Sequence, residues 1–234
     1  DLRAIGGDRI HAVEYIYRNK LQRIETPLLL AHFGLIPQIH LSQAAECAHQ
    51  WDEKQLCWRP ITDQWGTTDN NSISVAGDGA GIGGARTAEH AGRLAALNIA
   101  CQLGHINQKQ RNQLAKKDLR WMKDDLMIRP FLDALFRPPR TMLRHPTNEE
   151  ILCRCEEVTA GDIRSALGEG HRSPNEVKFY TRCGMGPCQG RQCASSVAQL
   201  IAYETDTDPA DLQPYRVRTP IKPISIGQMA GLEE

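Results

Sequence analysis

Five of the eight cysteines fall between Cys153 and Cys193. Cys153-Arg154-Cys155 puts two thiols on one short loop, and Cys183-Gly-Met-Gly-Pro-Cys188-Gln-Gly-Arg-Gln-Cys193 adds three more. Converging thiolates serve an iron–sulfur cluster, a zinc ion or disulfides. The spacing favours the first, because structural zinc usually takes Cys-x2–4-Cys and Cys-x-Cys is shorter than that. Cys188 follows Gly-x-Gly-Pro and precedes the periodic run Ala194, Val197, Ala198, Ile201, which reads as a helix. Its thiolate is therefore expected in a first helical turn, favoured by free N–H groups and the positive dipole end. Arg154, Arg182 and Arg191 would also balance a negative cluster. Cys183-x4-Cys188 competes with Cys188-x4-Cys193 as the second pair, and the spacing leaves both open.

A second stretch carries cofactor chemistry. Ile73-Ser-Val-Ala76 reads as a short strand, and it runs into Gly77-Asp78-Gly79-Ala80-Gly81-Ile82-Gly83-Gly84 and then a helix from Ala85 to about Gln102. Gly79-x-Gly81-x-x-Gly84 matches the letters of the dinucleotide fingerprint, in which glycines let pyrophosphate approach a helix N-terminus. Three features oppose that reading. Asp78 would repel a phosphate, no acidic strand end follows about twenty residues on, and the stretch comes after strands instead of opening a βαβ unit. The bland alternative is a glycine-rich turn used for packing.

Together these stretches resemble a known family. Cys153-x-Cys155 with Gly-Met-Gly-Pro-Cys188-Gln-Gly-Arg-x-Cys193 is similar to the bacterioferritin-associated-ferredoxin-like [2Fe–2S] domain. The closer likeness is to the form fused to FAD-dependent oxidoreductase subunits of the opine oxidase and hydrogen cyanide synthase group. The resemblance implies Cys153, Cys155, Cys188 and Cys193 as ligands, with Cys183 a fifth thiol. It also implies that Gly77, Asp78, Gly79, Ala80, Gly81 and Ile82 form one edge of an FAD site. Asp78 would accept from a ribityl hydroxyl, and the N–H groups around Ala80 to Ile82 would face the flavin pyrimidine. Leu28 to Pro37, Cys57 to Asp63 and Trp65-Gly66 resemble the flanking segments of that family. The implied partners are an N-terminal FAD/NAD-binding half and a smaller flavin-containing catalytic subunit. The implied function is electron relay between flavin and cluster in an amino-acid or opine dehydrogenase or oxidase. A zinc-held interaction module on a degenerate flavoprotein is the alternative, and an NAD-binding enzyme the third reading.

Composition narrows the classes. The 234 residues carry 28 basic and 28 acidic side chains, so nothing draws the chain to nucleic acid. No apolar run reaches transmembrane length, and Asp-Leu-Arg-Ala-Ile lacks a basic region followed by an apolar core, so no signal peptide is expected. Cysteines without a secretion signal suggest a cytoplasmic protein, or one held at the inner membrane through partners. Because the chain opens on Asp1 inside an expected strand, we expect a piece of a longer protein.

The elements that must position these residues follow from pattern. The fold class is α+β: the C-terminal edge of a two-dinucleotide-domain flavoprotein over 1–104, then a helical connector and linker over 105–149. A small all-helical cluster domain occupies 150–204 and an extended Pro-rich tail 205–234. Two strands around Gly6-Gly7-Asp8 are expected in 1–17, and a buried strand over 24–33. Thr159-x-x-Asp162 and Ser173-Pro174-x-Glu176 read as helix starts. The basic residues from Lys109 to Arg120 and the eight scattered histidines (His11, His32, His40, His49, His90, His105, His145 and His171) read as surface or structural.

Overall fold

The computed structural model describes residues 2–30, 34–137 and 146–231. His32 and His145, much of the 137–149 linker and the last three residues lie outside them. The chain separates into two compact units, 1–34 and 35–234.

The first unit is an antiparallel meander of β1 (Leu2–Gly6), β2 (Ile10–Tyr17) and β3 (Lys20–Glu25). The expected Gly6-Gly7-Asp8 turn joins β1 to β2, where a Cβ on Gly6 would stand 2.0 Å from the Arg9 carbonyl oxygen. A second turn was not foreseen. Arg18 and Asn19 both take left-handed backbone (φ 50° and 59°), the conformation of a two-residue hairpin that matches strand twist. The buried strand expected over 24–33 does not form. β3 ends at Glu25, and Leu28 and Leu30 are 63% and 83% exposed. Pro27 offers no N–H to a ladder, and an apolar run without a partner strand stays irregular. Residues 31–33 of that run lie outside the described set.

The second unit begins with α1 (His40–Ala44) and the hairpin of β4 (His49–Asp52) and β5 (Cys57–Pro60). Ile73–Ala76 forms no strand; Ser74 makes one isolated bridge to Thr67. Two long helices follow, α2 (Ala85–Gln102) and α3 (Gln108–Leu126), the latter opened by an Asn107/Gln110 capping box. They run antiparallel, with Arg86 against Asp125, His90 against Asp118 and Asn98 against Arg111. Leu94, Ala115 and Trp65 form their shared core. Asn98 donates to Thr67 Oγ1 at 3.0 Å and accepts from Arg111, whose guanidinium lies 4.1 Å over the Trp65 ring. This network pins the helix pair to the loop that leads into the glycine turn.

After α4 (Arg129–Leu135) the cysteine region is built from β6 (Ile151–Cys153), β7 (Val158–Thr159), α5 (Ala160–Gly168), α6 (Pro174–Thr181) and α7 (Ala194–Glu204). Ile163, Val177, Val197 and Ile201 are fully buried among the three helices. The capping boxes at Thr159/Asp162 and Ser173/Glu176 form as expected. The region is not all-helical, because Cys153 and Cys155 sit on the β6–β7 hairpin. Cys153 ends β6 with its side chain buried, whereas Cys155 lies in the turn that follows and is exposed. The tail is not simply extended: Leu212 and Tyr215 are buried, and a last helix, α8 (Ile226–Ala230), follows. Among the described residues no helix is long and apolar enough to cross a membrane.

Candidate metal centre and neighbouring glycine turn

The five thiols of the cysteine region fall into two groups. The Sγ atoms of Cys153, Cys183 and Cys193 lie within 4.8 Å of one another, all fully buried. Cys155, exposed, and Cys188, half-buried, form the second group, each perturbing the other's thiol. Each group mixes the β6–β7 hairpin with the 183–193 loop. The expected ligands Cys153, Cys155, Cys188 and Cys193 thus divide into one buried pair and one pair nearer the surface.

Local geometry explains how the loop brings them in. α6 ends at Arg182, whose left-handed backbone (φ 65°) turns the chain so that Cys183 points into the core. The sequence places Cys188 in a first helical turn, but it lies in the loop before the helix. α7 begins at Ala194, and Cys193 holds the position before it. Cys188 is stabilised by the loop itself, where the amides of Gln192, Gly190 and Arg191 favour its thiolate and the Arg191 N–H donates to the Cys188 carbonyl at 3.1 Å. Burial works against the Cys188 thiolate, but these amides and the Cys155 thiol outweigh it and lower the pKa. At Cys155 the Cys188 amide pulls downward, while the bond to the Cys188 thiol, desolvation and nearby thiolate charge push it up on balance. Hydrogen bonds from Cys193, Tyr215 and Cys153 overcome burial at Cys183 and lower it to about 7, whereas Cys193 is pushed up by its bond to Cys183. The Gly184 N–H donates to Cys153 Sγ at 3.5 Å.

Tyr215, from the tail, closes the buried group. Its hydroxyl donates to Cys183 Sγ at 3.5 Å. Its ring lies between two glycines with left-handed backbone: a Cβ on Gly184 (φ 84°) or Gly190 (φ 80°) would stand 2.6 Å from ring carbons. Gly186 leaves room for Cys155 in the same way, since its Cβ would fall 2.3 Å from Cys155 Cβ. The tail is tied down by Trp58 Nε1 donating to the Leu212 carbonyl (3.2 Å) and by Asn175, which donates to the Pro214 carbonyl and accepts from the Arg216 N–H. Sequence reasoning missed Tyr215. Its only sign was an aromatic residue beside apolar Leu212 in a Pro-rich tail.

The glycine turn is a single 3-10 turn, Gly77–Ala80, before α2. Gly77, Asp78, Gly79, Ala80, Gly81 and Ile82 are all half-buried. Asp78 Oδ1 accepts from the Gly83 and Gly84 N–H groups, both at 3.2 Å, and so caps α2, whose own N-cap residue Gly84 has no side chain. The Ile82 N–H donates to Gln55 Oε1 (3.1 Å), and Gln55 Nε2 donates back to the Ile82 carbonyl (2.9 Å). Nothing in the sequence signalled Gln55.

The segment 38–40 connects turn and thiols. A Cβ on Gly79 would stand 3.9 Å from the Gln38 carbonyl oxygen, and two residues on His40 Nε2 donates to the Gln189 carbonyl at 2.8 Å. Burial lowers the His40 pKa against the pull of that carbonyl. Beside it a cavity of about 170 Å³ opens between Trp58, Leu212 and Ala194. Of the other thiols, Cys57 is buried and pushed up to about 12 by burial and by the Asp52 carboxylate.

Known proteins resemble the chain in sequence and in fold. Residues 147–232 match the sarcosine oxidase A3 domain. Over 97% of its length the chain is 40% identical to an opine oxidase subunit from Agrobacterium tumefaciens, of which it covers 46%. It is 39% identical over 97% of its length to the corresponding opine oxidase subunit from Rhizobium meliloti, covering 43% of it. Hydrogen cyanide synthase subunit HcnB of Pseudomonas protegens is 30% identical over 88% of the chain and is covered to 43%. The chain therefore spans about half the length of the curated relatives it matches. L-proline dehydrogenase from P. horikoshii superposes over 96% of this chain and 43% of that one, with a TM-score of 0.68 and 20% identity, so the two share a mixed α/β fold. The relatives are oxidoreductase subunits, and their names as subunits place them in multi-chain assemblies.

Proposed function

We propose that this chain is the electron-relay portion of one subunit in an FAD-dependent oxidoreductase that acts on amino acids or opines, with a [2Fe–2S] cluster at the converging thiols. One observation carries the reading: five thiols from two loops meet in two adjoining groups, and backbone N–H groups are aimed at Cys153 and Cys188. Four sulfur donors with amide hydrogen bonds suit a thiolate-held cluster. Cys153, Cys193, Cys155 and Cys188 would hold it, the first two at the buried end. When bound, such a cluster carries one electron at a time, where reduced flavin yields two.

The chain's own residues then have distinct tasks. The N–H groups of Gly184, Gly190, Arg191 and Gln192 stabilise thiolate charge, and Tyr215 excludes water from the buried thiols. The Arg182–Glu156 ion pair (2.9 Å) braces the exposed side of the two loops. The glycine turn fits one edge of FAD through its backbone, at the positive end of the 18-residue helix α2. Gly77, Gly79, Ala80 and Gly81 would line that edge. Asp78 and Ile82 would contribute by holding the turn's shape, since Asp78 Oδ1 and the Ile82 N–H already have partners within it. Segment 38–40 would bridge the two sites through Gln38 and His40. In this reading 1–104 belongs to the flavin-binding part, 105–149 is the connector, 150–204 carries the thiols, and 205–234 locks them. The rest of the flavin site and a smaller flavin-containing subunit come from outside this chain.

Iron, zinc and acid-labile sulfide analysis of anaerobically purified protein tests the reading. Iron and sulfide in equal amounts, with a visible spectrum that bleaches on reduction, is the expected result. Zinc without sulfide would replace the relay by a zinc-held interaction module.

A further inference from the structure

The buried end of the thiol centre holds one sulfur more than an iron there can use. Tetrahedral metal–thiolate bonds of about 2.3 Å put two sulfurs on one metal roughly 3.8 Å apart. Cys153, Cys183 and Cys193 all lie within 4.8 Å of one another, so any two reach that spacing with a shift of about an ångström. The exposed end has no such surplus. Cys155 and Cys188 have each other, and among the described residues the remaining cysteines lie elsewhere: Cys47 bonds Thr68, Cys57 is on β5 and Cys101 on α2.

We propose that Cys183 is a reserve ligand for the buried iron, able to replace either Cys153 or Cys193. The proposal rests on the cluster reading and deepens it. Tyr215 makes the arrangement specific. Its hydroxyl holds the Cys183 sulfur, and its ring, wedged between Gly184 and Gly190, keeps the loop around all three thiols closed. Cys153 in turn accepts from the Gly184 N–H, the residue next to Cys183, so the loop that carries Cys183 is tied directly to the buried thiols. The site is therefore asymmetric, with a tolerant buried end and an intolerant exposed end.

The test uses the full-length protein with its partner subunits, purified anaerobically, and reads iron, acid-labile sulfide and the electron paramagnetic resonance of the reduced form. Alanine substitutions are used because a serine oxygen can itself bind iron. Cys193→Ala and Cys153→Ala should each keep iron and sulfide within about twofold of the parent with a changed resonance signal, whereas Cys188→Ala and Cys155→Ala should lose roughly tenfold or more, as losing a ligand outweighs losing an outer partner. Cys183→Ala alone should change neither, and Cys183→Ala/Cys193→Ala should fall as far as Cys188→Ala. Equal loss in Cys193→Ala, Cys153→Ala and Cys188→Ala, with circular dichroism showing all three folded, would overturn the proposal. So would retention in Cys183→Ala/Cys193→Ala. If the parent itself holds no iron or sulfide, the cluster reading fails, a result distinct from loss confined to the variants.

Discussion

Alanine at Gly184 measures how firmly the tail locks the cysteine loop. Two costs add. The residue sits at φ 84°, where a side chain costs about 1–2 kcal/mol. Its Cβ would also stand 2.6 Å from the ring of Tyr215, which is 5% exposed and has little room to give. Overpacking of that kind costs about 1–3 kcal/mol. The sum of ~2–5 kcal/mol is a large part of the ~5–15 that hold a domain folded. Only the second cost depends on the ring. In Gly184→Ala/Tyr215→Ala the overlap is gone while the backbone strain remains. The pair should therefore destabilise by about 1–3 kcal/mol less than the sum of the single variants. Urea unfolding followed by tryptophan fluorescence reads this, since Trp58 donates to the Leu212 carbonyl three residues before Tyr215. Additivity within about 0.5 kcal/mol would refute the wedge.

Three other outcomes follow from the same geometry. In metal-free protein at pH 8, iodoacetamide should label Cys188, whose pKa is lowered, well before buried Cys57 at about 12, as read by peptide mass spectrometry. Asp78→Ala should destabilise the chain by about 1–2 kcal/mol without any flavin present, because the Gly83 and Gly84 N–H groups lose their acceptor; thermal unfolding checks this. Asp162 and Glu176 are held below the usual carboxylate range, Asp162 by the Thr159 N–H and Glu176 by the Arg172 and Ser173 N–H groups. Their stabilisation is present above the unfolded-state pKa of about 4 and is lost as pH falls through their native values. Asp162→Asn and Glu176→Gln should therefore be less stable than the parent at pH 7 and equal to it near pH 2, measured by urea midpoints.

The parts that local chemistry dictates were legible in the sequence. The bounds of α2 followed from its apolar period and the flanking glycines, and the starts of α5 and α6 from Thr159/Asp162 and Ser173/Glu176. The thiol spacing announced a converging centre. What pairs with what was not legible, because it depends on contacts distant in sequence. Cys155 meets Cys188, and Cys183 joins Cys153, only once the β6–β7 hairpin has turned at Glu157 (φ 53°) and the loop at Arg182. Ile73–Ala76 looked like a strand but lacked a neighbour to pair with beyond Ser74–Thr67. Arg18-Asn19 makes a left-handed turn without glycine, and only the strands on either side impose it. Gln55 serves the glycine turn from 27 residues away, beyond the reach of any local pattern.

The order of the chain gives Tyr215 a consequence in time. The ring arrives 22 residues after Cys193 (215 − 193), the last thiol of the centre. At about 5–20 residues per second, a ribosome makes all five thiols of this region roughly 1–4 s before the tyrosine that seals three of them exists. During synthesis the cysteine loop is thus complete and unsealed for seconds, and any chain released early between those two residues would keep its thiols but lack their cover.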